Sequence, residues 1–543
     1  MPERQLPVRP NLEQYKKQAK ELARACREGD AEALSRLRAH SRHSAEGHVA
    51  LSDAQLVLAR EHGFESWPKF AAHIEQLRIA AVVAELADPV DAFLRAALVP
   101  RDGSSHAGGT LDEANAILAA YPEVAQRNVF TAAALGDDAA VRGFVARDKA
   151  AATTAGGPYE WDPLCHVCFS RYLRLDAGRA ERFVETARVL LDAGADPNSG
   201  WYEKPWQPGE KDVWESALYG AAGMAHHAGL TRLLLERGAD PNDGETPYHA
   251  PEGYDNTVLQ ILLESGKVDE RGKSWILARK ADWHDFEGLK LALAHGADPN
   301  FVPHWGRSGL QHSILRDNRI EMIEALLEHG GNPGVLSKND GTNAVQLAAR
   351  RGRGDVLRLF ETRGLSVKLE GVDRLIAACA LADRPQVDAI VAAAPDLRER
   401  LLAEGGDLLG AFAGVGNTEG VRCLLQAGVR ADALYSGDAY FDTAKDSTAL
   451  HVAAWRGWPE TVRLLIAQGA PVDARDGKGR TALQLGLRAG ADSYWMRRRS
   501  PEWIEPLLQT GASAEGIDVP TGWAEADDLL RRYSGGKGNL DKE

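Results

Sequence analysis

Residues 233–242 read Leu-Leu-Leu-Glu-Arg-Gly-Ala-Asp-Pro-Asn, and most of the architecture follows from them. An apolar run of this kind ends a helix, Gly238 can take the left-handed conformation that closes it, and Asp-Pro turns the chain away. The string recurs as LLDAGADPN at 190–198 and LALAHGADPN at 291–300, with weaker copies running to Glu515. The closing glycines are Gly194, Gly238, Gly296, Gly330, Gly364, Gly428, Gly469 and Gly511, with an intermediate copy at Gly266, and Gly296, Gly330 and Gly364 stand 34 residues apart.

A second string opens each unit. Thr448-Ala449-Leu450-His451-Val452-Ala453-Ala454 and Thr246-Pro247-Tyr248-His249-Ala250 are its clearest copies, and Thr481-Ala482-Leu483-Gln484 and Ser308-Gly309-Leu310-Gln311 are degenerate ones. Thr or Ser before Pro or a small residue is an N-cap, so each copy starts a short helix. These strings match the T-P-L-H-x-A pattern, and the chain resembles the ankyrin-repeat family over residues 128–515, in about 11 units of about 33 residues. The resemblance implies an all-α solenoid of helix-turn-helix units with short hairpins or loops, and a hydrogen-bonding role for His249 and His451 between adjacent loops. One helix pair cannot bury its apolar faces alone, so neighbouring pairs must share a core.

Residues 1–78 carry no repeat mark and read as a separate helical segment, with Asn11 and Gln14 as a capping box, Ser52 as the cap of the next helix, Gly63 as its end and Ser66 before a third. The pattern NLEQYKKQAKEL followed by AREHGFESWPKF is similar to the helical leader of some bacterial ankyrin arrays. Residues 79–127 are expected to connect leader and array, and 516–543 to form a C-terminal helix with a flexible tail.

The 543 residues are 44% hydrophobic and 26% charged, as in soluble globular proteins. Lys and Arg number 64 against 78 Asp and Glu, a formal charge of −14, which argues against a generic nucleic-acid groove. No apolar run reaches the roughly 18 residues of a membrane span and no signal sequence opens the chain, so a cytoplasmic location is expected. Five scattered cysteines do not suit a disulfide framework.

No familiar hydrolase, zinc-protease or P-loop string is present. The glycine-bearing stretches 103–110 and 414–420 lack a phosphate-binding Lys or the spacing of a dinucleotide loop. Cys165, His166 and Cys168 could face one way on a helix, but Cys168 falls on a small core position of the repeat and no companion ligands stand at zinc spacing, so no metal or cofactor is expected. His227 and the string Asp282-Trp283-His284-Asp285 fall at turns between helices, where a solvated structural role is expected.

The repeat pattern does not account for the aromatic loops. Trp201, Tyr202, Trp206 and Trp214 occupy an insertion after Gly194, and Tyr435, Tyr440 and Phe441 occupy another after Gly428. Tyr159 and Trp161 precede the second unit, and His304 with Trp305 forms a loop tip. Exposed rings on successive tips would line one rim, with Trp283, Trp455 and Trp458 at the opposite edge. The alternative is that each insertion folds back over its own rings. The leading expectation is a non-enzymatic protein that holds a protein or peptide partner on its concave face and aromatic tips. The rival is an enzyme or a carbohydrate or small-molecule binder whose pocket unites these rings with Glu160, Asp162, Asp255 and a nearby His.

Overall fold

The computed structural model describes residues 4–7, 10–40, 49, 51–100, 106, 108–204, 211–365, 368–517 and 519–534. Short helices follow one another along the chain, and among the described residues the sheets are two small antiparallel hairpins, β1 (Gly200–Glu203) with β2 (Val213–Ser216) and β3 (Leu434–Tyr435) with β4 (Ser447–Thr448). Two compact units divide the chain, Met1–Ile276 and Leu277–Glu543, and the division falls inside helix Glu270–Asp282. No helix among the described residues is long and apolar enough to cross a membrane.

The first unit begins with helices Leu12–Arg27, Ala31–His40, Leu51–Glu61 and Trp67–Ala84. Their apolar faces form their own clusters, one around Leu22, Cys26, Val57 and Leu58, another around Tyr15, Phe70 and Ile74. Asn11 caps the first helix by accepting from Glu13 N and Gln14 N. Ser52, expected as a cap, lies inside the first turn of a helix that starts at Leu51.

Helix pairs follow in both units. Leu234 and Leu262 in the first, and Leu326 and Leu465 in the second, are fully buried. The closing glycines all have positive φ, 103° at Gly238 and 85° at Gly330, and a Cβ on either would meet nothing within 4 Å. Conformation rather than space therefore requires glycine there. At Gly457 both requirements meet, because φ is 71° and a Cβ there would collide with the ring of Trp503.

The asparagine of Asp-Pro-Asn joins successive units. Asn198 donates from Nδ2 to Gly238 O (3.3 Å) and accepts at Oδ1 from Asp240 N (2.8 Å). Asn242 does the same with Lys267 O and Asp269 N, and Asn300 with Gly330 O and Asn332 N. Each amide satisfies one orphaned carbonyl and one N–H of the next turn.

The unit openings are equally regular. Thr448 and His451 form a capping box in which His451 Nδ1 accepts from Thr448 N (3.0 Å), while Nε2 donates to Ala474 O (2.9 Å) and Arg480 O (3.1 Å) of the next loop. Gln311 in the degenerate copy makes the same crossing, donating to Val335 O and Thr342 O. Three of the loops are also pinched at the neck by one backbone bond: Ala217 N to Ser199 O (2.7 Å), Leu310 N to Pro299 O (3.4 Å) and Ala344 N to Pro333 O (3.0 Å).

Candidate functional site

Strand alternation sorts the rings of the first insertion. Trp201 pairs with Glu215 and Tyr202 with Trp214 across the β1–β2 ladder, so Trp201, Glu203 and Glu215 share one face and Tyr202 and Trp214 the other. The first set turns inward: Trp201, Glu203 and Glu215 are buried, Glu215 to 2% exposure. Tyr202 is 58% exposed, with its ring centroid 4.7 Å from that of half-buried Trp214. Gly200 is needed for the close pairing, because a Cβ would stand 2.4 Å from Glu215 O.

Inside, Trp201 stacks on Trp161, with centroids 5.0 Å apart and planes at 25°, and meets Phe169 and His106 edge-on. Trp161 is buried, and half-buried Tyr159 lies between it and the guanidinium of Arg95. The expected exposure of Trp161 and Trp201 is thus replaced by burial, because the alternation that points Tyr202 outward points Trp201 at the helices beneath. Trp206 lies outside the described residues.

Beside these rings stands a group of acids and imidazoles. His106 Nε2 is 3.3 Å from Glu203 Oε1, its Nδ1 is 4.0 Å from Glu215 Oε2, and Tyr219 OH lies 3.1 Å from that same Nδ1. The three ligand-capable atoms of His106, Glu203 and Glu215 lie within 4.8 Å of one another, and two carboxylates with one imidazole form a donor set suited to a divalent transition metal or zinc. Burial, with the nearby carboxylates of Glu245 and Glu203, pushes the Glu215 carboxyl up to about 9. Burial also raises Asp243, to about 6, against hydrogen bonds from Ser216 and Thr246.

His249 departs from its expected role between loops. Its Nδ1 is 3.1 Å from Glu252 Oε1 and its Nε2 3.2 Å from Glu245 Oε2, and these bonds outweigh burial to raise its pKa to about 9. Thr246 is not the cap of its helix either; Gly244 holds that place and Asp243 accepts from Thr246 N.

Two of the carboxylates named for a pocket bond backbone groups. Asp162 caps helix Pro163–Cys168 by accepting from Cys165 N, Asp255 accepts from Thr257 N and Oγ1, and Glu160 is exposed in a turn with φ 55°. Cys165 and Cys168 are buried thiols raised by desolvation, and His166 between them is held down to about 4 by burial.

In the second unit the insertion after Gly428 folds back over its own helices. Tyr435 and Phe441 are buried, and Tyr440 is 37% exposed. Tyr440 OH donates to Asp282 O (2.5 Å), the Arg316 guanidinium lies 3.8 Å over its ring, and Arg456 lies 3.9 Å over Phe441. The planar cations hold the loop down, so Tyr435 and Phe441 do not present a rim. His304 stays exposed beside half-buried Trp305, with centroids 5.2 Å apart. The string 282–285 does occupy a turn, but a packed one: Asp282 pairs with His312, Arg316 and Arg279, and Asp285 with Lys280. Trp458, at another interhelical turn, donates from Nε1 to Gly414 O (2.7 Å).

His106, Glu203 and Glu215 escaped the reading of the sequence because no short motif spans positions so far apart. The alternation in 200–203 and 213–216 was the available signal, since it places two acids on the face of a buried Trp.

The crystal structure of the human ASB11 ankyrin repeat domain is 21% identical to this chain, covers 44% of it and 98% of that domain, and superposes with a TM-score of 0.21. A family model described as ankyrin repeats (3 copies) matches residues 408–497. That match takes in the capping box of Thr448 and His451 and the helix closed by Gly469, and this stretch of the chain consists of ankyrin repeats.

Proposed function

We propose that the protein binds a protein or peptide partner, and that in the first unit the outward face of the β1–β2 hairpin anchors it. Ankyrin repeats are generally protein–protein interaction modules. The observation carrying the finer reading is Tyr202, 58% exposed against the ring of Trp214 on a hairpin whose other face is locked into the unit. A ring held rigid by its neighbour loses little freedom on binding, which suits an anchor. In the second unit His304 and Trp305 offer the comparable tip.

A photo-crosslinking residue at position 202, introduced in the native host, identifies the partner, and titration with the purified partner measures affinity. Tyr202→Ala should weaken binding by about 2 kcal/mol with the fold intact, and Trp458→Ala should leave affinity unchanged. Equal losses for both variants would remove the hairpin from the interface.

A second reading follows from Glu215, whose Oε2 is buried with no hydrogen-bond partner among the described residues. An unpaired buried carboxylate beside Glu203 and His106 would accept a divalent cation, the small-molecule alternative in its simplest form. Equilibrium dialysis with zinc and manganese tests it: one equivalent bound by the wild type and none by Glu215→Gln supports it, and no binding by the wild type refutes it.

A further inference from the structure

The second unit contains a cavity of about 440 Å³ along its interhelical turns, lined by 317–321, 352–355 and 415–417 with Arg358, Arg456, Trp458 and Arg498. Its charge is lopsided. Five guanidiniums, from Arg319, Arg353, Arg358, Arg456 and Arg498, face three carboxylates, those of Asp317, Glu321 and Asp355. Two of the carboxylates are already engaged, Asp317 by Arg351 and Arg456, and Asp355 by a bidentate contact from Arg353 at 2.8 and 2.9 Å. Arg358 reaches only the carbonyl of Leu381, Arg498 only the carbonyl of Arg456 and the rings of Trp458 and Trp495, and Arg319 only the ring of Phe286, among the described residues.

Two buried donor atoms also lack partners. Arg353 Nη1 and Arg456 Nε make no hydrogen bond among the described residues, although the two side chains are 6% and 5% exposed. Leaving such a donor unmet in the interior carries the full desolvation penalty of the group.

The helix starts sharpen the anomaly. Some helices of the array are capped by acceptors such as Asp137, Asp285 and Asn417, while others, Ala180–Asp192 at Arg179 and Pro459–Ala467 at Trp458 among them, have no side-chain cap. Helices Ile320–Glu328 and Gly354–Thr362, of nine residues each, belong to the second kind: they begin at Arg319 and Arg353, with no side-chain cap, and carry one acid each in the first turn, Glu321 and Asp355. Guanidinium has no acceptor to offer, and a cation at the positive end of a helix dipole is unfavourable. Both starts open on this cavity, where a bound anion would reverse the sign of each interaction. Desolvation and the charges of Arg456 and Arg497 already lower Arg498 to about 10, as expected of cations crowded without a counter-ion.

We propose that this cavity binds the phosphate group of a small phosphorylated molecule. Arginine forks match phosphate geometry, and the volume lies in the range of small-ligand pockets and exceeds what a bare anion fills. Calorimetric titration of the whole protein with inorganic phosphate, pyrophosphate and ADP, at constant ionic strength and with sulfate as control, tests this. Pyrophosphate or ADP should bind more tightly than sulfate. Arg358→Gln with Arg498→Gln should lower that affinity about tenfold with the far-UV spectrum unchanged, and Glu321→Gln, which removes an exposed acid from the mouth, should raise it roughly threefold. Should the arginine variant not fold, the Glu321→Gln arm decides alone. Binding no tighter than sulfate, affinities unmoved by the variants, or capture of a phosphoserine peptide without binding of pyrophosphate or ADP would each overturn the proposal.

Discussion

In the first unit Glu215 is buried near Glu203, Glu245 and Asp243, with His249 as the cation its field includes, whereas in the second unit Asp317 is buried between Arg351 and Arg456. Both arrangements remove a carboxylate from water. The first answers by holding its proton, the second by meeting two guanidiniums. Burial works to raise Asp317, but Arg351 and Arg456 outweigh it and hold its carboxyl below the ordinary range. The same contest, won by His312 and Arg316, depresses Asp282 as well. A carboxylate inside this fold is therefore no guide to charge by itself; the side chains on neighbouring turns decide.

The difference should show most strongly when a partner is removed. Asp317→Asn leaves Arg456 without its carboxylate and Arg351 with Asp438 alone, and should cost about 3–5 kcal/mol, measured by urea unfolding of the second unit's signal. An effect below 1 kcal/mol would mean the pair is not desolvated as described.

Glu215→Gln should act in the opposite direction. The folded chain keeps this proton up to about pH 9, while the unfolded chain releases it near 4.5. Folding is thus favoured by this group below the ordinary carboxylate range, and that contribution drains away as pH rises to 9. The amide should raise stability by about 1–3 kcal/mol at pH 8 and have little effect at pH 4, a contrast readable in paired melting curves.

Histidine titrations sharpen the comparison. By NMR, His249 should titrate near 9, held charged by Glu245 and Glu252, and His284 near 4, where burial and then the charges of Arg456 and Arg497 oppose protonation. His249 stabilises the first unit below its ordinary value of 6.5 and loses that effect as pH rises to 9; His284 stays neutral in the fold, so the second unit weakens as pH falls from 6.5 toward 4. Coincident titrations would end the contrast. The smallest effect belongs to His451→Gln, about 1 kcal/mol or less, because Gln311 already makes the same crossing bonds in its own unit.

The fold was legible because its rules are local. Gly238 closes a helix through its own φ, and Thr448 and His451 cap one through atoms three residues apart. Asn198 and Asn300 were visible as repeats, although their bonds run to the next turn. The candidate site was less legible because it depends on direction. Trp201 and Tyr202 are adjacent and chemically alike, yet strand alternation sends one into the unit and the other to solvent. Phe441 was read as a tip because nothing near it in sequence announces Arg456, and Thr246 failed as a cap because Asp243, three residues earlier, accepts from its N–H and engages its hydroxyl.

The bond at the neck of these three loops has a consequence for how this chain can vary. Ser199 O receives Ala217 N across a long insertion, and Pro299 O and Pro333 O receive Leu310 N and Ala344 N across shorter ones, so the exit and return of the chain are fixed whatever lies between. The asparagine before the neck is tied to the next turn, and the cap after it starts the next helix. Content between those two clamps can be lengthened, shortened or exchanged while the helices keep their register. Such an arrangement separates the part of the chain that must stay constant from the part that can be rewritten, and it lets new recognition surfaces be tried one loop at a time.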